Sequence, residues 1–146
     1  MNIYKIYSKD NDNYCSYIGA NSLKEVKNIY VNNNKNSLSN IINIDTIEIG
    51  TGATQIVGSD FYPFTIIEII NDKKIVVQSD DAKPDVENGF DYFTNQIYKI
   101  TPNPNGKVLT LSLRKNNLWV EVGKASKNPA TFFSLGNRIA LQNPSF

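Results

Sequence analysis

From Gly50 onward the chain is cut by turn-forming residues every few positions, and this spacing leaves no room for long helices. Asn71-Asp72-Lys73 separates residues 65–70 from 74–78, and Pro102-Asn103-Pro104-Asn105-Gly106 follows a strand-like run at 95–101. Asn116-Asn117 separates 108–115 from 118–122. Each flanking run is short and rich in Ile, Val, Leu and Thr, so the pattern predicts hairpins. Asn116-Asn117 tolerates the positive φ of a two-residue type I′ turn. The acidic segment 79–90 carries Pro84 and Gly89 and predicts a long loop. Five or so short strands, tight turns and one long loop predict a small half-open barrel or sandwich at 50–146, with an SH3-like barrel as the first choice.

The first 49 residues have a different texture. Residues 2–8 and 14–20 read as strands around an Asp10-Asn11-Asp12-Asn13 turn. Ser22-Leu23-Lys24-Glu25 fits a capping box, and Leu23, Val26, Ile29 and Tyr30 recur at helical spacing, which predicts a helix over about 23–31 closed by Asn32-Asn33-Asn34. Alternation from Ile42 to Ile49 predicts a third strand. The segment 1–49 is thus expected to be a ββαβ module, and the chain mainly β, α+β overall.

Composition bounds the chemistry. A length of 146 residues supports one main core. At 40% hydrophobic, 20% charged and net charge +1, the chain is globular in composition and only weakly steered toward phosphate. No apolar run reaches the roughly 18 residues of a membrane span and no signal-peptide core opens the chain, so a cytoplasmic location without membrane contact is expected. Cys15 is the only cysteine, which excludes an intramolecular disulfide. The complete absence of histidine removes Ser-His and Cys-His nucleophile pairs and His-ligated zinc. No enzymatic activity, cofactor or metal is expected.

Weaker motifs resolve into turns. Gly50-Thr51-Gly52-Ala53-Thr54 starts like a phosphate loop, but no Gly-Lys-Ser/Thr follows, and a turn between module and barrel is the expectation. Asp60, Asp80, Asp81 and Asp85 are oxygen donors for a divalent cation or, more simply, a solvated acidic face. Asp72-Lys73-Lys74 sits in a hairpin turn, and the calcium-loop start at Asp10 fails at Tyr14.

Asn fills 21 positions and Lys is common, as in an AT-rich coding sequence, so the two arginines, Arg114 and Arg138, are the more informative cations. With a two-residue loop, Arg114 faces Trp119 across the 108–122 hairpin, and Leu109, Leu111, Leu113, Val120 and Val122 form the core face. Arg114 and Trp119 are then either a cross-strand cation–π pair or one wall of a binding site. Phe61-Tyr62-Pro63-Phe64 and Phe90, Tyr92 and Phe93 supply further rings, which are either core and ordinary surface or a stacking groove for a nucleobase. Arg114, Trp119, Arg138, Tyr62, Phe90 and Tyr92 are the candidate ligand-binding residues.

Taken together, Gly50-Thr51-Gly52-Ala53-Thr54, Ser59-Asp60 with Pro63-Phe64-Thr65-Ile66-Ile67, Val77-Gln78-Ser79-Asp80, Pro102-Asn103-Pro104-Asn105-Gly106, Leu113-Arg114-Lys115 with Trp119, and Leu135-Gly136-Asn137-Arg138 with Pro144-Ser145-Phe146 form an ordered string of short motifs. This string resembles a group of short, mostly uncharacterised proteins of bacteriophages and prophages, over about 50–146 only. The resemblance implies a phage accessory protein that acts by binding in the host cytoplasm, and counter-defence is a common class among such proteins. Two modes are open: sequestering a nucleotide-derived immune signal, or occluding a host defence protein. The rival expectation is a housekeeping nucleic-acid-binding barrel, with weak backbone affinity at this charge. Self-association is left open.

Overall fold

A computed structural model describes residues 1–9, 15–34, 38–127 and 129–144, with Asn33 and Asn34 described by backbone only. The predicted turn at 10–13, the expected start of the second strand at Tyr14, and Ser145 and Phe146 lie outside the described residues. The protein is mainly β: a closed six-stranded barrel and a separate three-stranded sheet.

Strands β1 (Asn2–Ser8), β2 (Ser16–Ala20) and β3 (Ile41–Ile47) form the small sheet in the order β2-β1-β3, all antiparallel. Helix α1 (Leu23–Asn34) links β2 to β3. At its start Ser22 Oγ accepts from Glu25 N (3.2 Å), while Glu25 Oε2 accepts from Asn21 N (3.1 Å), one residue earlier than in the expected capping box. The central strand β1 is buried on both faces, as its period of two requires. Tyr4 and Ile6 join Ala20, Val26 and Tyr30 under the helix, whereas Ile3 joins the barrel core.

The barrel is an antiparallel meander. Strands β4 (Gly52–Val57), β5 (Asp60–Asn71), β6 (Lys74–Pro84), β8 (Val108–Leu113), β9 (Trp119–Glu121) and β10 (Thr131–Leu135) pair in sequence, and β10 returns to β4 to close the ring. An even number of strands lets such a meander close with every neighbour antiparallel. Register shifts at Ile66/Glu68 and Ile69/Asn71 mark bulges in the long β5–β6 hairpin, the usual device for bending a strand around a small barrel. Ala53, Phe64, Ile66, Ile75, Val77, Leu109, Leu111, Trp119, Phe133 and Leu135 fill the interior, and Ile3 and Ile47 of the small sheet belong to the same apolar cluster.

Three sequence expectations are corrected here. Of residues 50–54, read as a turn, 52–54 instead open β4 (Gly52–Val57), because small residues suit a strand packed closely against its neighbours. A Cβ on Gly52 would lie 2.5 Å from Arg138 Cγ. The acidic segment is not one long loop: β6 runs on to Pro84 and pairs with β7 (Tyr98–Pro102), so the two project beyond the barrel wall as an arm. The β8–β9 hairpin is shifted by one residue. Arg114 N donates to Leu118 O (2.9 Å), Asn117 takes φ +63°, and the loop contains three residues, 115–117. Trp119 therefore pairs with Leu113, not with Arg114, and enters the core, while Val122 is left exposed.

Candidate functional site

The arm formed by β6 and β7 creates a recess against the barrel. Its tip is strapped down by the segment after β10: Gln96 Nε2 donates to Gln142 O, and Gln96 Oε1 accepts from Gln142 N (2.9 Å) and from the Tyr98 hydroxyl (2.8 Å). Phe61 and Leu141 exchange backbone hydrogen bonds (2.8 and 3.0 Å), and Asp60 Oδ1 accepts from Asn143 N (2.7 Å). These ties hold open a cleft of about 410 Å³ between the start of β5, the middle of β6, the arm and the strap. Phe61, Tyr62, Tyr98 and Leu141 supply apolar and ring surface; Gln55, Gln142, Lys107 and Asp80 supply the polar groups. Burial raises the Tyr98 phenol above its ordinary range, with the neighbouring Tyr92 adding to the shift.

One polar cluster fixes the floor. Asp80, whose side chain is 0% exposed, lies 3.1 Å from Arg138 Nε and accepts from the Thr65 hydroxyl. Arg138 Nε and Nη2 each donate to Thr65 Oγ1 at 3.2 Å, and Nη2 also donates to Gly50 O at 2.7 Å. The turn that presents Arg138 is pinned by buried Thr54, which donates to Asn137 O (2.7 Å) and accepts from Ile139 N (3.0 Å). A planar guanidinium matches this fork of acceptors in a way that a lysine ammonium does not. Lys107 is set at the rim through its backbone: Lys107 N donates to Ser79 Oγ (2.8 Å) and Lys107 O accepts from Ser79 N (2.9 Å).

No family model, curated protein or solved structure matches this chain.

The six residues singled out in the sequence do not form one site. Tyr62 lines the cleft and is 37% exposed, whereas Arg138 lies behind the lining and reaches it only through its pairing with Asp80. Phe90 packs edge-on against Tyr98 with centroids 5.3 Å apart, one ring behind the cleft wall. Tyr92 sits at the arm tip, its ring 5.3 Å from Phe93 and its carbonyl accepting from Gln96 Nε2 (2.9 Å). Trp119 is withdrawn into the core, edge-on to Tyr17 at 5.6 Å, and walls no cleft. Arg114 is a clamp: it donates to Ser112 Oγ (2.7 Å), Lys124 O (2.9 Å), Ser126 Oγ (2.5 Å) and Glu121 O (3.1 Å), tying the hairpin to the loop that follows β9.

Sequence reasoning did not find Tyr98, Lys107 or Gln142. The acidic residues weighed as metal donors have separate partners: Asp60 on Asn143, Asp80 on Arg138, Asp81 on Lys83 and Asp85 on Asn88 and Lys99. Among the described residues no three His, Cys, Asp or Glu side chains converge on a common point, and no helix is long and apolar enough to cross a membrane.

Proposed function

We propose that this chain is a non-enzymatic binding protein that takes a nucleotide-derived small molecule into the cleft between Tyr62 and Tyr98. The observation that carries the reading is the combination of ring walls with a rigid polar floor in a recess of about 410 Å³. Small-molecule sites of this size are mostly apolar, with a few fixed polar groups that orient the ligand. A base stacked on an aromatic side chain gains about 1 to 3 kcal/mol, enough to hold a ligand without covalent chemistry. Combined with the resemblance to phage and prophage proteins, the reading becomes a counter-defence protein that sequesters a nucleotide immune signal in the host cytoplasm, rather than one that occludes a defence protein. The finer fold assignment, a ββαβ module followed by an SH3-like barrel, belongs to the same proposal; the small size and bulged β5–β6 hairpin of the barrel support it, while its six strands and full closure depart from the half-open, five-stranded form expected.

A second reading draws on a different face. Arg114, Lys115, Asn116, Ser126 and Lys127 border a groove of about 460 Å³ at the hairpin end, with cations and, among the described residues, no carboxylate in its lining. That groove favours the housekeeping nucleic-acid barrel.

A thermal-shift screen against cyclic nucleotides, ADP-ribose derivatives and short RNA and DNA separates the two, since a ligand that binds only the folded state raises its melting temperature. The cleft reading expects a small nucleotide to stabilise the protein and Tyr62→Ala to remove the shift. Stabilisation by oligonucleotides alone, lost in Lys115→Glu and retained in Tyr62→Ala, favours the second reading.

A further inference from the structure

The charges around the cleft specify the ligand more narrowly than the rings do; this step rests on the reading above. Cations near the arm already have carboxylate partners: Lys83 lies 3.9 Å from Asp81, and Lys99 lies 3.8 Å from Asp85 and 3.9 Å from Glu87. At the floor, Arg138 is neutralised by Asp80. Among the described residues, Lys107 is the one cleft-lining cation with no carboxylate at ion-pair distance. It is exposed, and its backbone is clipped to Ser79, so its ammonium swings from a fixed point on the rim.

We infer that the ligand carries about one negative charge, and that the cleft accepts a nucleobase bearing a single phosphodiester, as in a cyclic mononucleotide, in preference to a polyphosphate. Each further phosphate charge entering this recess would lose water and find no second unpaired cation, because Arg138 is already engaged by the covered Asp80 carboxylate. The size agrees, because about 410 Å³ lies toward the small end of the range for ligand clefts. Ring faces from Tyr62 and Tyr98 provide the stacking surface, and the amides of Gln55 and Gln142 provide both donors and acceptors for a base edge. Lys107 supplies the charge-assisted contact to the phosphodiester.

The test is calorimetric titration of the full chain with ligands that share one base: adenosine, cyclic AMP, AMP and ATP, followed by the guanine series. In at least one series the cyclic nucleotide is expected to bind about tenfold tighter than its nucleoside, the effect of one charged contact, with the triphosphate no tighter than the cyclic form. Lys107→Gln is expected to close the gap between cyclic nucleotide and nucleoside, and a Lys107→Arg control to preserve it. Affinity that climbs with each added phosphate, or a gap that survives Lys107→Gln, overturns the single-charge inference while leaving base binding in the cleft intact. If neither series binds, the cleft reading itself falls, and this inference with it.

Discussion

The two arginines sit in regions that make opposite use of the same side chain. Arg138 lies at the edge of the barrel against Asp80 and Thr65, with its side chain 30% exposed and its partner carboxylate fully covered. Arg114 lies at the far end of β8, where its partners are two backbone carbonyls and two serine hydroxyls. One arginine neutralises a buried charge, and the other ties down a surface loop. The difference shows that scarcity of a residue type marks where a planar, multidentate cation is needed, and not that the need is ligand binding.

The largest expected effect is at the buried pair. Arg138→Ala leaves Asp80 charged and covered, which should cost about 3 kcal/mol, the low end for breaking a buried pair because water reaches part of Arg138. Urea unfolding measures it. Adding Asp80→Asn should recover much of the loss, since the stranded charge disappears while an acceptor for Thr65 remains. Equal instability of the single and double variants would show that Arg138 acts through packing alone.

A smaller effect is expected at the other arginine. Arg114→Ala removes hydrogen bonds that solvent replaces in part, so a cost of about 1 kcal/mol is expected, with ligand binding in the cleft unchanged. Loss of binding in Arg114→Ala at full stability would move the site to the hairpin groove and collapse the contrast.

The smallest effect sharpens the comparison with a third cation, which has neutral partners. Lys5 is 5% exposed; its ammonium donates to Leu135 O (2.6 Å) and Ser134 Oγ (3.3 Å) and stands 5.2 Å from the Tyr7 ring. It joins β1 to β10 across the seam between sheet and barrel. Burial pushes its pKa below 10.5, opposed by weaker attractions to Cys15 and Asp45. In the alkaline window that ends near 10.5, the unfolded chain therefore holds a proton that the folded chain has released, and stability gains a rising slope with pH. Tyr7 opposes this above about pH 10: burial pushes its phenol up to about 12, so the folded state retains that proton longer. Lys5→Met should change stability by less than about 1 kcal/mol at neutral pH and flatten the slope below 10.5. A slope that persists in the variant assigns the effect to another group.

The N-terminal elements were legible because their signals are local. Strand alternation, Ser22 and Glu25, and the Val26–Tyr30 spacing each act within a few residues. The hairpin register was not, because Asn117 adopts one of two backbone solutions open to Asn116-Asn117, and the three-residue loop moved Trp119 from the outer face to the core. β4 was hidden by its small residues, and the outer half of β6 by its charges, which a strand tolerates when it pairs with β7 beyond the barrel wall. Of the cleft, Tyr62 and Arg138 were legible as residue types, but Tyr98, Lys107 and Gln142 meet only through pairings far apart in sequence, which no local pattern encodes.

The central claim, that the recess between Tyr62 and Tyr98 is the binding site, is tested most directly by amide chemical-shift mapping during titration with a cyclic mononucleotide. The account predicts saturable shifts centred on residues 61–64, 79–82, 98, 107 and 140–142, with residues 112–127 unmoved. Shifts confined to the Arg114 groove would contradict it.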